Sequence, residues 1–223
     1  KGVEYMHPLM ICLHAAESNV EIIEQSLSDI PFEIYHVVDT YLLTMIREQR
    51  PFNEQKDYAF NKIMELIEQQ PTFILITCTN YIVLLDQIEL ETNIPILKID
   101  ELLFEQLKEV QAPIKMLFTN KQTIEGTMAR LKQTIPSELD IEVIFIPEVF
   151  DWYLAGDRLR HDQKVLSTLL ELDASQHIIA VAQLSMANSA ESYSQLSEKL
   201  ILSPLTAFKN VYHSIQQTGH FVE

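Results

Sequence analysis

Apolar residues along this chain gather in short runs that close on hydroxyl, amide or carboxylate side chains, and these runs alternate with longer stretches whose apolar positions recur at helical spacing. The run after Pro71, Thr72-Phe73-Ile74-Leu75-Ile76, stops at Thr77-Cys78-Thr79-Asn80 and reads as a strand buried on both faces. Residues 9–13, 32–38, 94–97, 114–118, 141–146 and 177–183 read as further strands. Between them, residues 40–49, 53–69, 81–90, 101–110, 122–134, 157–172, 189–199 and 204–217 read as helices. Ser18-Asn19-Val20-Glu21 has the S-x-x-E spacing of a capping box and opens another helix after the first strand. Strands alternating with helices predict parallel βαβ units and hence an α/β fold.

The two halves rhyme. Each carries a strand that ends in polar residues, Thr77-Cys78-Thr79-Asn80 in the first and Gln183-Leu184-Ser185-Met186 in the second. This predicts two pseudo-symmetric lobes, each a mostly parallel sheet flanked by helices, with an active-site cleft between them. The expected division is residues 1–97, completed by a C-terminal helix over 204–223, and residues 98–203.

Charge narrows the function. With 32 acidic against 16 basic residues the formal net charge is -16, which repels a phosphate backbone and argues against a nucleic-acid partner. No apolar run approaches the ~20 residues that span a bilayer. The start, Lys1-Gly2-Val3-Glu4-Tyr5, lacks the pattern of a signal peptide, so the expected location is cytoplasmic, away from membranes. Two cysteines, Cys12 and Cys78, form neither a disulfide framework nor a cysteine-based zinc site, and seven scattered histidines show no His-Glu-x-x-His helix. These residues give no support for a metal site, and none is assigned. Four glycines leave no phosphate-cradling loop, so no nucleotide cofactor is expected either.

Cys78 is the leading catalytic candidate, because ligands of open α/β sheets bind beyond the carboxyl ends of the strands. A helix opening just after it would favour the thiolate and leave backbone N–H groups for a substrate carboxylate. Thr79 and Asn80, with Thr119, Asn120, Gln183 and Ser185 at the ends of later strands, supply hydrogen-bonding side chains for the same purpose. His14, at the first strand-to-helix turn, suits a proton donor or carboxylate contact equally as well as a structural role. Asp39 closes the second strand, where capping a helix is the favoured reading. Cys12 sits inside an apolar strand and reads as core. His161 and Asp162 are adjacent on a helix, so they should not face one another and read as structural or rim residues. The segment holding Trp152 and Tyr153 either covers a cleft or packs two subunits together.

Four segments together resemble the aspartate/glutamate racemase superfamily: Ile76-Thr77-Cys78-Thr79-Asn80, Asn93-Ile94-Pro95-Ile96-Leu97-Lys98, Ala155-Gly156-Asp157 with His161-Asp162, and Ala180-Val181-Ala182-Gln183-Leu184-Ser185-Met186-Ala187. They are most similar to a branch ending in an Ala-Gln-x-Ser-Met-Ala motif. The resemblance spans nearly the whole chain. It implies two α/β lobes, cofactor-free chemistry on a small carboxylate, and two cysteines acting on opposite faces of one carbon. Cys78 matches the first, while Leu184 falls at the second, followed by Ser185 and Met186 where threonine and histidine are typical. The resemblance therefore implies an isomerase, or a related lyase or decarboxylase, working with a single thiol. The alternative is a catalytically silent protein that binds or senses a small carboxylate. A homodimer is compatible with the resemblance because the family commonly forms them.

Overall fold

Beginning at Leu9, strand β1 (Leu9–His14) is buried from Met10 onward, as expected of a central strand covered on both faces. It lies between β2 (Glu33–Val38) and β3 (Phe73–Ile76), and β4 (Ile96–Lys98) adds to the far side of β3. All three pairings are parallel, giving the order β2-β1-β3-β4. The crossovers run through α1 (Ser18–Ser26), α2 (Tyr41–Arg47) with α3 (Phe52–Ile67), and α4 (Thr79–Leu85). The protein is known here from a computed structural model that describes residues 9–27, 33–135, 139–172 and 176–210.

The chain divides into two compact units, Lys1–Lys98 and Ile99–Glu223. The second contains α5 (Ile99–Lys108), β5 (Ile114–Phe118), α6 (Lys121–Thr134), β6 (Ile141–Phe145), α7 (Val149–Leu154), α8 (Arg158–Glu171), β7 (Ile178–Val181), α9 (Ala187–Ser197) and β8 (Ile201–Leu202). Its sheet is again parallel, in the order β6-β5-β7-β8. Period-two alternation on β5 sends Met116 and Phe118 to a core with Leu103, Phe104 and Leu131, while Leu117 joins Val149, Val165, Val181 and Tyr193 in another. Each fully buried side chain of this size contributes about 1.5–3 kcal/mol.

The α/β reading and the two parallel sheets stand, with local differences. The expected strand at 94–97 is β4, shifted to Ile96–Lys98, and it pairs with β3 in the first unit. α4 begins at Thr79, before the expected Tyr81, because Cys78 takes an extended backbone (φ -99°, ψ 115°) and occupies the cap position itself. The Trp152–Tyr153 segment is a short helix, α7, which the aromatic content had hidden. Two-residue β8 is too short to leave a pattern. Residues 204–210 are helical, and Ala207 is buried in the second unit's core beside Leu202. Phe32 and residues 211–217 of the expected elements lie outside the described residues. Among the described residues, no helix is long and apolar enough to cross a membrane.

Because both sheets share one strand order, their ladders align residue by residue. Thr77 N–H donates to Leu13 O (3.0 Å) as Ala182 N–H does to Leu117 O (3.0 Å), and Asp39 N–H donates to His14 O (2.8 Å) as Ile146 N–H does to Phe118 O (2.8 Å). His14 thus corresponds to Phe118, Asp39 to Ile146, Thr77 to Ala182 and Cys78 to Gln183.

Candidate functional site

Cys78 stands at the carboxyl end of β3, an inner strand, and caps α4. Its sulfur accepts from the backbone N–H groups of Asn80 and Tyr81 and from the Asn80 side chain, all of which favour the thiolate. Burial outweighs them. With Asp39 adding repulsion, the thiol is pushed up to about 11. This corrects the expectation of an activated thiolate, and it also assigns to sulfur the two N–H groups expected to hold a substrate carboxylate. The residue is 7% exposed, so it is nearly but not wholly sealed.

Asp39 organises the surroundings of that thiol. One carboxylate oxygen accepts from Tyr41 N–H (2.9 Å) at the start of α2, although Thr40, not Asp39, takes the cap position. The other accepts from the Tyr81 hydroxyl on α4. Tyr58 of α3 also bonds Asp39, and burial together with that carboxylate pushes both tyrosine hydroxyls upward from their ordinary pKa. Three helices and β2 therefore converge on one carboxylate beside the thiol. Tyr58 and Tyr81 fall in stretches that read only as helices, and nothing in their spacing marks them as partners of Asp39.

On β1, His14 is fully buried and both ring nitrogens are taken. Nδ1 meets Thr77 Oγ1 at 2.8 Å, and Nε2 meets His36 Nδ1 at 2.9 Å. Burial, then the neighbouring His36, pulls its pKa down to about 3. His36 is lowered in the same direction by burial, against a raising influence from Glu24. Cys12 lies on the same sheet face, and one ligand atom from each of Cys12, His14 and His36 falls within 4.8 Å of the others. Burial raises the Cys12 thiol. Scattered spacing had suggested no such cluster, since His36 reaches β1 only through the register that pairs it with Cys12.

The second unit gathers Thr119, Asn120 and Gln183. Gln183 Oε1 accepts from Thr119 N–H (2.8 Å), Thr119 Oγ1 (2.9 Å) and Asn120 N–H (3.1 Å), while Asn120 Oδ1 caps α6 through Gln122 N–H (3.1 Å). These groups satisfy one another. Ser185 Oγ, by contrast, is buried with no hydrogen-bond partner. The aligned ladders put Gln183, not Leu184, opposite Cys78 in the repeat, moving by one residue the position assigned from the motif. His161 Nδ1 and Asp162 Oδ1 do meet, at 2.6 Å, contrary to expectation, because the short carboxylate can fold back onto the preceding ring. Ser189 Oγ donates to Asp162 O (3.2 Å), tying α9 to α8.

By sequence, no family profile and no curated protein matches the chain. Solved structures do match. An aspartate racemase from Picrophilus torridus aligns at TM-score 0.71 and 11% identity, covering 96% of this chain and 95% of its own. A glutamate racemase isoform from Bacillus anthracis aligns at 0.68 and 15% identity, over 96% and 84% respectively. An allantoin racemase from Klebsiella pneumoniae aligns at 0.65 and 14%, over 95% and 89%. The chain shares the fold of these racemases.

Proposed function

We propose that the protein is a racemase-like isomerase that exchanges the α-proton of a small carboxylate without a cofactor, using Cys78 as its one reactive thiol. The observation that supports this reading is the place of Cys78 at an inner strand end, capping α4, in a fold shared with racemases. Held near 11, the resting group is S–H; its minor thiolate form takes the α-proton, leaving the C–H electron pair on carbon, and the S–H so formed exchanges with solvent and returns a proton to that carbanion. The thiolate left behind is met by the N–H groups of Asn80 and Tyr81 and by the Asn80 side chain, which already point at sulfur. Each solved neighbour named above is a racemase, which favours isomerase over lyase chemistry.

The test is deuterium uptake from D₂O at the α-carbon, followed by mass spectrometry, across aspartate, glutamate, other amino acids, allantoin, malonates and maleate. Uptake into at least one compound that disappears in Cys78→Ser is the expected result. Uptake undiminished in that variant would remove Cys78 from the mechanism.

A second reading is favoured by Gln183, whose amide stands where the repeat would place a second thiol and is occupied by Thr119 and Asn120. On that reading the chain binds or senses a small carboxylate without turning it over. Thermal stabilisation by a panel member, with no deuterium uptake, would decide for it.

A further inference from the structure

Three positions that cluster in the first unit are polar, although their counterparts in the second are not. Cys12, His14 and His36 correspond through the aligned ladders to Met116, Phe118 and Val143. Thr77, which holds His14, corresponds to Ala182. The sheet is therefore built equally well with apolar side chains there, and burying the Cys12 thiol and the His14 imidazole, with His36 partly buried beside them, is not a requirement of the architecture. Some other function is needed to account for them.

The proton count of the imidazole pair is informative. His14 Nε2 and His36 Nδ1 are 2.9 Å apart and share one proton. Two neutral rings hold two protons, so only one of the two outer nitrogens is protonated. The outer nitrogen of His14 faces Thr77 Oγ1 at 2.8 Å, and that of His36, buried without a hydrogen-bond partner, faces the Glu24 carboxylate at 3.8 Å. A cation between the inner nitrogens reverses this. The shared proton moves to the vacant outer nitrogen, so both outer N–H groups face acceptors, the arrangement that orients histidine ligands around metals.

We propose that Cys12 Sγ, His14 Nε2 and His36 Nδ1 form a binding site for a divalent cation of the zinc class, with Thr77 and Glu24 as the outer partners of the two imidazoles. Thiolate with two imidazoles is a donor set that suits zinc. Tetrahedral bonding needs the two nitrogens about 3.3 Å apart and sulfur about 3.5 Å from each, from bond lengths of ~2.0 Å to nitrogen and ~2.3 Å to sulfur. The nitrogens open slightly and sulfur moves in by about 1.3 Å at most from the observed 4.8 Å limit. The balance is simple: the cation enters, the Cys12 S–H bond breaks with its electron pair staying on sulfur, and one proton leaves per cation bound. Thiolate and Glu24 carboxylate together neutralise the two positive charges.

Cobalt(II) added to the metal-free protein is the probe, because a bound thiolate gives a near-ultraviolet charge-transfer band. One equivalent should saturate that band, with about one proton released in lightly buffered solution. Zinc should displace cobalt and raise the melting temperature. Cys12→Ser should abolish the band and His36→Gln should weaken cobalt binding at least tenfold, while Cys78→Ser should leave the band intact. Should Cys12→Ser fail to fold, the wild-type protein still decides: no saturable charge-transfer band, or one that Cys78→Ser removes, overturns the assignment.

Discussion

Alkylation of Cys78 as a function of pH exposes the balance of forces at the candidate site. At pH 7.5 a thiol held near 11 is ionised in about 3 molecules per 10,000, against about 1 in 10 for an ordinary cysteine of pKa ~8.5. The thiolate is therefore about 300-fold scarcer. A more basic thiolate is also a better nucleophile, and a Brønsted coefficient of ~0.45 over about 2.5 units returns a factor of about 10. The net expectation is alkylation by iodoacetamide at least ~30-fold slower than for an unstructured cysteine peptide. The rate should climb tenfold per pH unit with no plateau below pH 10. Peptide mapping by mass spectrometry separates Cys78 from Cys12. Removing the adjacent charge with Asp39→Asn should raise the neutral-pH rate, since Asp39 is one of the influences lifting the thiol. A plateau below pH 9, or a neutral rate matching the peptide, would show that the N–H groups of Asn80 and Tyr81 outweigh burial, and the S–H resting state would have to be abandoned.

Acid should destabilise the first unit before carboxylates matter. His14 titrates near 3 folded and near 6.5 unfolded, so the unfolded chain binds more protons between these values and stability, complete above 6.5, falls as pH drops toward 3, by at most on the order of 5 kcal/mol. Urea midpoints at pH 7.5, 6 and 5 should show the decline, and His14→Gln should flatten it. Gln183→Ala strands the buried Thr119 and Asn120 N–H groups and should cost about 2–6 kcal/mol in the same assay, at ~1–3 kcal/mol per orphaned donor. Phe104→Ala should cost about 3–5 kcal/mol, because Phe104 is fully buried and also lies under the Arg130 guanidinium, 5.4 Å from the ring centroid.

Strands were the most legible part of the sequence because their cue is local. Residues 114–118 need only their own apolar run and the polar Thr119-Asn120 stop, and β5 has those limits. Helix starts were less legible where a cap is not the usual residue: Cys78 is a poor N-cap by preference, so α4 appeared to begin two residues late. At the candidate site, Cys78 and Asp39 could be singled out because strand ends are where polar residues are informative. Their partners Tyr58 and Tyr81 could not, since each sits on a helix with an apolar face and is joined to Asp39 only by folding. The His14–His36 pair was hidden for the same reason, being formed by a ladder register rather than a motif.

The repeat carries the last step. If both units descend from one βα plan, differences at aligned positions report what each has been adapted to do. Asp39 aligns with Ile146, His14 with Phe118 and Thr77 with Ala182, so at these three pairs the ionisable or hydroxyl group belongs to the first unit. At the fourth pair the second unit is polar too, but Gln183 turns its oxygen inward to fix Thr119 and Asn120. An amide cannot exchange protons near neutral pH as a thiol can. On the proposed function the reacting group stands at a strand end of the first unit, while Ser185 in the second carries a hydroxyl with no hydrogen-bond partner among the described residues. If Ser185→Ala leaves both deuterium uptake and ligand-induced stabilisation unchanged, the Ser185 hydroxyl takes no part in binding or exchange.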